Sequence, residues 1–154
     1  MRNLILAVAL AATPAISETF EETAKGLGTS ANEAMPISDS HVVLKTAGSY
    51  EMFEVSDGHP LKGASGPCFG SVEVMGADVS GGGVCVFDTA TGDKAVMQWH
   101  AGGMGEDGAL TGEWTVSGGT GKWTGASGGG TFSSLTDAST GKFVNTIEGA
   151  ITIE

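Results

Sequence analysis

The C-terminal segment carries the clearest alternation in the chain. Phe143, Ile147, Ile151 and Ile153 share one parity, while Thr146, Glu148 and Thr152 take the other. A period of two marks a strand with one buried and one wet face. Residues 68–75 repeat the pattern, with Val72 and Val74 interleaved with Ser71 and Glu73. Short runs of β-branched and aromatic residues, bounded by Gly, Asp, Ser or Pro, predict strands over 41–45, 50–55, 68–75, 83–88, 95–100, 110–116, 129–135 and 143–153. The connections have turn chemistry, as in Ser56-Asp57-Gly58-His59-Pro60 and Asp137-Ala138-Ser139-Thr140-Gly141. Their shortness favours antiparallel neighbours over parallel crossovers.

Short antiparallel strands must bury one face and hide their edges, which a closed barrel or a two-layer sandwich achieves. Glycines inside the predicted strands, Gly70, Gly83, Gly112 and Gly149 among them, favour the barrel, because a small barrel bends its strands sharply. The glycine-dense stretch from Gly118 to Gly130, with Lys122 and Trp123 between its clusters, fits a tight turn joining close-packed strands. The predicted fold class is all-β, an eight-stranded antiparallel β-barrel, with a two-layer β-sandwich as the alternative.

Ahead of these strands, Met1-Arg2-Asn3 and the apolar run from Leu4 to Ala12 lead through Pro14 to the small residues Ala15 and Ser17. This reads as a signal peptide over 1–17, cleaved before Glu18. Its apolar run is too short to cross a bilayer, its end lacks a cysteine for lipid attachment, and no later stretch suggests a membrane span. The expected location is periplasmic or secreted. Residues 18–36 are polar and mixed and read as a partly disordered leader, or one helical turn, ahead of a barrel domain over 37–154.

Charge narrows the partners. Without the signal segment, six lysines stand against 18 acidic residues, a balance that repels phosphate backbones and makes nucleic acid an unsuitable partner. Cys68 and Cys85 are the only cysteines of the 154 residues. An even pair in an oxidising compartment reads as a disulfide before a nucleophile or a metal site. Paired across a hairpin, they place Gly70 opposite Gly83 and Val72 opposite Gly81, with the turn between Gly76 and Ala77, a self-consistent register. Such a bridge stabilises a domain by roughly 3 kcal/mol through loop entropy.

Catalytic and metal signatures are weak. Gly121-Lys122 lacks the glycine and the Ser or Thr of a phosphate-binding loop, since Val116 and Trp123 stand there. Residues 88–93 lack the alternating acids of a calcium loop. His41, His59 and His100 are scattered, and no Gly-x-Ser-x-Gly elbow occurs. No metal, cofactor or catalytic residue is assigned. The large residues Tyr50, Phe53, Met97, Trp99, Trp114 and Trp123 suit the wall of a lumen, with Glu51, Glu73 or His100 as polar handles. The candidate ligand-binding set is Tyr50, Trp99, His100 and Trp114. A lumen filled solidly by these rings fits the sequence equally well.

The ordered set Cys68-Phe69-Gly70, Gly83-Val84-Cys85-Val86, Thr91-Gly92-Asp93, Trp99, Gly112-Glu113-Trp114 and Gly118-Gly119-Thr120-Gly121-Lys122-Trp123-Thr124-Gly125-Ala126 resembles exported bacterial proteins of the allene oxide cyclase-like barrel type. Its glycine segment is also similar to that of plant dirigent proteins. The resemblance implies an eight-stranded antiparallel barrel with an apolar lumen. In plant relatives such a lumen guides cyclisation or coupling of a small molecule, often in a trimer, so a homo-oligomer is among the expectations. No catalytic motif of the plant cyclases lies on this chain. The expected function is a non-enzymatic exported binding or structural module with a modest pocket for a small apolar ligand. The alternative is a barrel isomerase or cyclase acting on a small apolar organic substrate.

Overall fold

The computed structural model describes residues 17–154. The expected signal peptide therefore lies, but for Ser17, outside the described residues. The strands among them are β1 (Glu18–Ser30), β2 (Glu33–Ser38), β3 (His41–Glu54), β4 (Gly66–Met75), β5 (Asp78–Asp88), β6 (Lys94–Met104), β7 (Leu110–Gly119), β8 (Ser127–Thr136) and β9 (Lys142–Ile153). Every pairing is antiparallel. The sheet runs β1-β9-β8-β7-β6-β5-β4-β3-β2 and closes through β1 against β3. β1 and β3–β9 thus form an eight-stranded barrel, with β2 as an extra strand paired to the first part of β3. The barrel is the architecture expected, and the sandwich is excluded by the β1–β3 closure.

The strand assignment needs one correction. Residues 18–36, expected to be a leader, instead supply β1 and part of β2, while the two segments predicted over 41–45 and 50–55 are one strand, β3. β1 escapes a hydrophobicity pattern because its buried positions are Ala24, Gly26 and Gly28. They are small for a reason: a Cβ on Gly26 would press into the Tyr50 ring, and one on Gly28 would stand 2.8 Å from the Phe143 ring. Aromatic side chains of β3 and β9 fill the space that a typical β1 would fill itself.

Elsewhere the alternation holds. Phe143, Ile151 and Ile153 are buried, and Val72 of β4 is 1% exposed beside an outward Glu73. The hairpin register around the cysteines is as predicted: Cys68 opposite Cys85, Gly70 opposite Gly83, Val72 opposite Gly81, and the two cysteines are bridged. On β3, Glu51 is a bulge opposite the Leu27–Gly28 step, which lets Tyr50 and Phe53 both face inward despite their odd spacing.

One end of the barrel is closed. The loop after β3 packs His59, Leu61 and Ala64 into it, and the 3-10 turn Gly121–Trp123 buries Trp123 to 2% exposure. Gly121, at φ 55°, makes that turn possible, and a side chain there would collide with Asp93. The opposite end carries the turns between β4 and β5, β6 and β7, and β8 and β9. There β2 and the tips of β3 and β4 extend the wall beyond the point where β1 leaves β3.

Candidate functional site

The barrel is not solid. A cavity of about 310 Å³ runs along its axis from the His59 loop to residues at the other end, among them Leu44, Val74, Met104 and Leu110. Its size lies at the lower end of the roughly 300–1,000 Å³ seen for small-molecule sites. The wall is chiefly apolar. Tyr50 anchors an aromatic cluster, stacked on Phe53 at 5.2 Å and edge-on to Phe87 and Phe143 at 5.3 and 4.8 Å. Met97, Trp99, Trp114 and Phe132 line the opposite side.

Two tryptophans sit side by side in one register row that circles the barrel: Thr46, Gly70, Gly83, Trp99, Trp114, Gly130, Gly149 and Glu22. The glycines beside Trp99 explain why its ring fits. Trp99 lies across β5 and β4, so that a Cβ on Gly83 or Gly70 would stand 2.7 Å from its six-membered ring. On the other side, Gly130 leaves β8 open, and the Trp114 indole donates from Nε1 to the Glu148 carbonyl at 3.2 Å. A Cβ on Gly130 would collide with that same carbonyl. The glycine-rich composition is thus partly the negative image of the Trp99 indole.

Two polar clusters stand in the wall, one at Tyr50 and one at His59. Asn145, 6% exposed, donates from Nδ2 to the Tyr50 hydroxyl at 2.7 Å. Burial holds the Tyr50 hydroxyl neutral, its pKa pushed up to about 12. Near the closed end, His59 stands with Nε2 3.8 Å from Glu22 and with its ring edge-on to Phe20. Its Nδ1 accepts the Leu61 backbone N–H at 3.2 Å, which assigns the ring proton to Nε2 on the side of Glu22. Burial holds the His59 pKa below its ordinary value against the opposing pull of Glu22. The Glu22 carboxylate in turn accepts the Ser56 backbone N–H at 3.1 Å.

Of the residues singled out from sequence, Tyr50, Phe53, Met97, Trp99 and Trp114 line the cavity, whereas Trp123 is a buried part of the closed end. The three polar handles are corrected. His100 is exposed on the outer face, paired with Glu113 across β7, because its neighbour Trp99 takes the inward position. Glu51 projects outward at the bulge, and Glu73 is bound on the outer face by His41 at 2.6 Å. Polar residues of the lumen instead include the buried His59 and Asn145 and the half-buried Thr46 and Glu22, besides Ser30, Asn32, Gln98, Ser134 and Thr136. Asn145 was findable: it occupies an inward parity position between Phe143 and Ile147, where the alternation calls for an apolar residue. No protein-family model, curated protein or solved structure matches the chain.

Proposed function

We propose that the chain is an exported, non-enzymatic binding module of the allene oxide cyclase-like type, whose lumen takes a small apolar molecule. The observation that carries this reading is the cavity itself, with aromatic and chiefly apolar walls. Space in a small barrel is normally filled by side chains. Here six positions of the tryptophan row are glycine or carry side chains no larger than Glu. Export is supported by the signal-like first 17 residues, by Glu18 opening β1 and by the Cys68–Cys85 bridge, which belongs in an oxidising compartment. The apolar side chains mostly face inward, the reverse of a barrel that meets lipid.

Uptake of the neutral fluorophore phenylnaphthylamine tests the reading. One molecule per chain with enhanced emission is expected, together with loss of uptake in Leu44→Trp, which narrows the cavity. Absence of uptake by the correctly folded, oxidised protein overturns it.

A second reading, proton-transfer catalysis in the lumen, is favoured by one feature. Glu22 and His59 are an acid–base pair in the cavity wall, with the imidazole proton on the side of the carboxylate. This pair replaces the His100 or carboxylate handle expected from sequence. Its test is exchange of an acidic proton of a bound ketone with deuterated water, expected to be lost in His59→Gln and in Glu22→Gln. Equal exchange by wild type and both variants removes this reading.

A further inference from the structure

Three buried side-chain polar atoms among the described residues have no hydrogen-bond partner: Thr46 Oγ1, Trp99 Nε1 and Asn145 Oδ1. All three belong to residues that line the cavity. Such atoms forfeit their hydration without replacement, and their normal number in a small domain is low. Their grouping on one lumen, and not across the fold, calls for an explanation.

The atoms are also related by register. Thr46 and Trp99 occupy the same row, separated only by Gly70 and Gly83, over which the indole lies as it reaches from β6 toward β4. Asn145 is tied to Tyr50, which stands four residues along β3 from Thr46. The unfilled valences are one donor on Trp99, one acceptor on Asn145, and a hydroxyl on Thr46 that serves as either. With the Asn145 amide turned over, its free group becomes a donor, and a ligand hydroxyl satisfies it in both orientations. No Lys or Arg lines the cavity, and its imidazole, His59, already faces the Glu22 carboxylate, so a ligand carboxylate buried there would lack a counter-charge of its own.

Resting on the reading of the lumen as a binding site, we propose that its ligand is a neutral apolar molecule bearing at least one hydroxyl. The hydroxyl is held by Asn145, and oxygen on the ligand accepts from Trp99 Nε1, with Thr46 as the third contact. The apolar body packs on the Tyr50 aromatic cluster and on Phe132.

Calorimetric titration with naphthalene, naphthylmethanol and naphthoate separates the possibilities. Naphthylmethanol is expected to bind about ten-fold tighter than naphthalene, as one or two net hydrogen bonds provide, and naphthoate more weakly than either. Trp99→Phe and, independently, Thr46→Val should each lower the ratio of naphthylmethanol to naphthalene affinity, the change in naphthalene binding itself measuring the altered lumen volume. Equal binding of naphthalene and naphthylmethanol overturns the hydroxyl assignment but leaves an apolar lumen site. Tightest binding of naphthoate overturns the neutrality argument. Binding of none of the three overturns the lumen reading as well.

Discussion

Trp99 and Trp114 are neighbours on β6 and β7, share one register row and face the same lumen, yet their indole nitrogens have opposite fates. Trp114 is completed from within the fold, its N–H on the Glu148 carbonyl. Trp99 has no partner for its own. Glycines take the neighbouring strand positions beside both, Gly83 and Gly70 beside Trp99 and Gly130 and Gly149 beside Trp114. The difference teaches that residue type and burial do not distinguish a structural aromatic from a binding one. What distinguishes them is whether the protein itself uses the polar end.

The shared half of the comparison predicts the largest effects. Gly83→Ala drives a methyl group into the Phe69 carbonyl and the Trp99 ring, and Gly130→Ala drives one into the Glu148 carbonyl. Both should lose about 3 kcal/mol of stability in denaturant titrations, the upper range for overpacking. A tolerated Gly83→Ala would show that Trp99 does not lie on β5 as described.

Tyr50 sharpens the comparison from the other wall, where a buried hydroxyl is satisfied by Asn145. Its folded pKa, about 12, is above the ordinary 10.0, so the unfolded chain loses this proton first as pH rises. The stabilisation is complete below pH 10.0 and is lost toward pH 12, a total of roughly 2–3 kcal/mol at 1.36 kcal/mol per unit. Comparing alkaline denaturation of wild type with Tyr50→Phe measures it, and the variant should lack that part of the transition.

The tryptophans themselves come next. Trp99→Phe and Trp114→Phe remove the same volume, so the packing loss largely cancels between them. Trp114→Phe should cost about 1 kcal/mol more in thermal or denaturant unfolding, the net value of its hydrogen bond. Equal losses would mean that Trp99 has a partner in solution that makes the two sites equivalent.

The smallest effect concerns the closed end. His59 has a folded pKa below its ordinary 6.5. Its contribution is therefore fully present above pH 6.5 and declines as the pH falls through that value toward the depressed one, because the unfolded chain takes up the proton first. The melting temperature of wild type should fall between neutral and mildly acidic pH more steeply than that of His59→Gln. Parallel curves would place the ring in contact with water.

Architecture was legible where side chains fill their own positions. The parity of 143–153 and the register across Cys68 and Cys85 follow from local pattern, whereas the eight expected strands match the barrel's eight only because β3 is counted twice and β1 is missed. β1 was illegible because its fully buried positions are glycine and alanine, and the rings that cover them, Tyr50 and Phe143, lie 24 or more residues away. The site divides in the same way. Tyr50, Trp99 and Trp114 are recognisable as large rings on inward parity, but His100 directly follows Trp99 and so takes the opposite face of the strand. Glu22 and His59 come from segments read as leader and turn, so only closure of the barrel brings them together.

The contrast between the two indoles is most directly tested by following the side-chain N–H cross-peaks of the three tryptophans in a proton–nitrogen correlation spectrum while naphthylmethanol is added. The account predicts that the Trp99 signal, assigned through Trp99→Phe, moves strongly and shifts toward a hydrogen-bonded position, while Trp114 stays nearly fixed. A stationary Trp99 signal under saturating ligand, or equal movement of both, would contradict it.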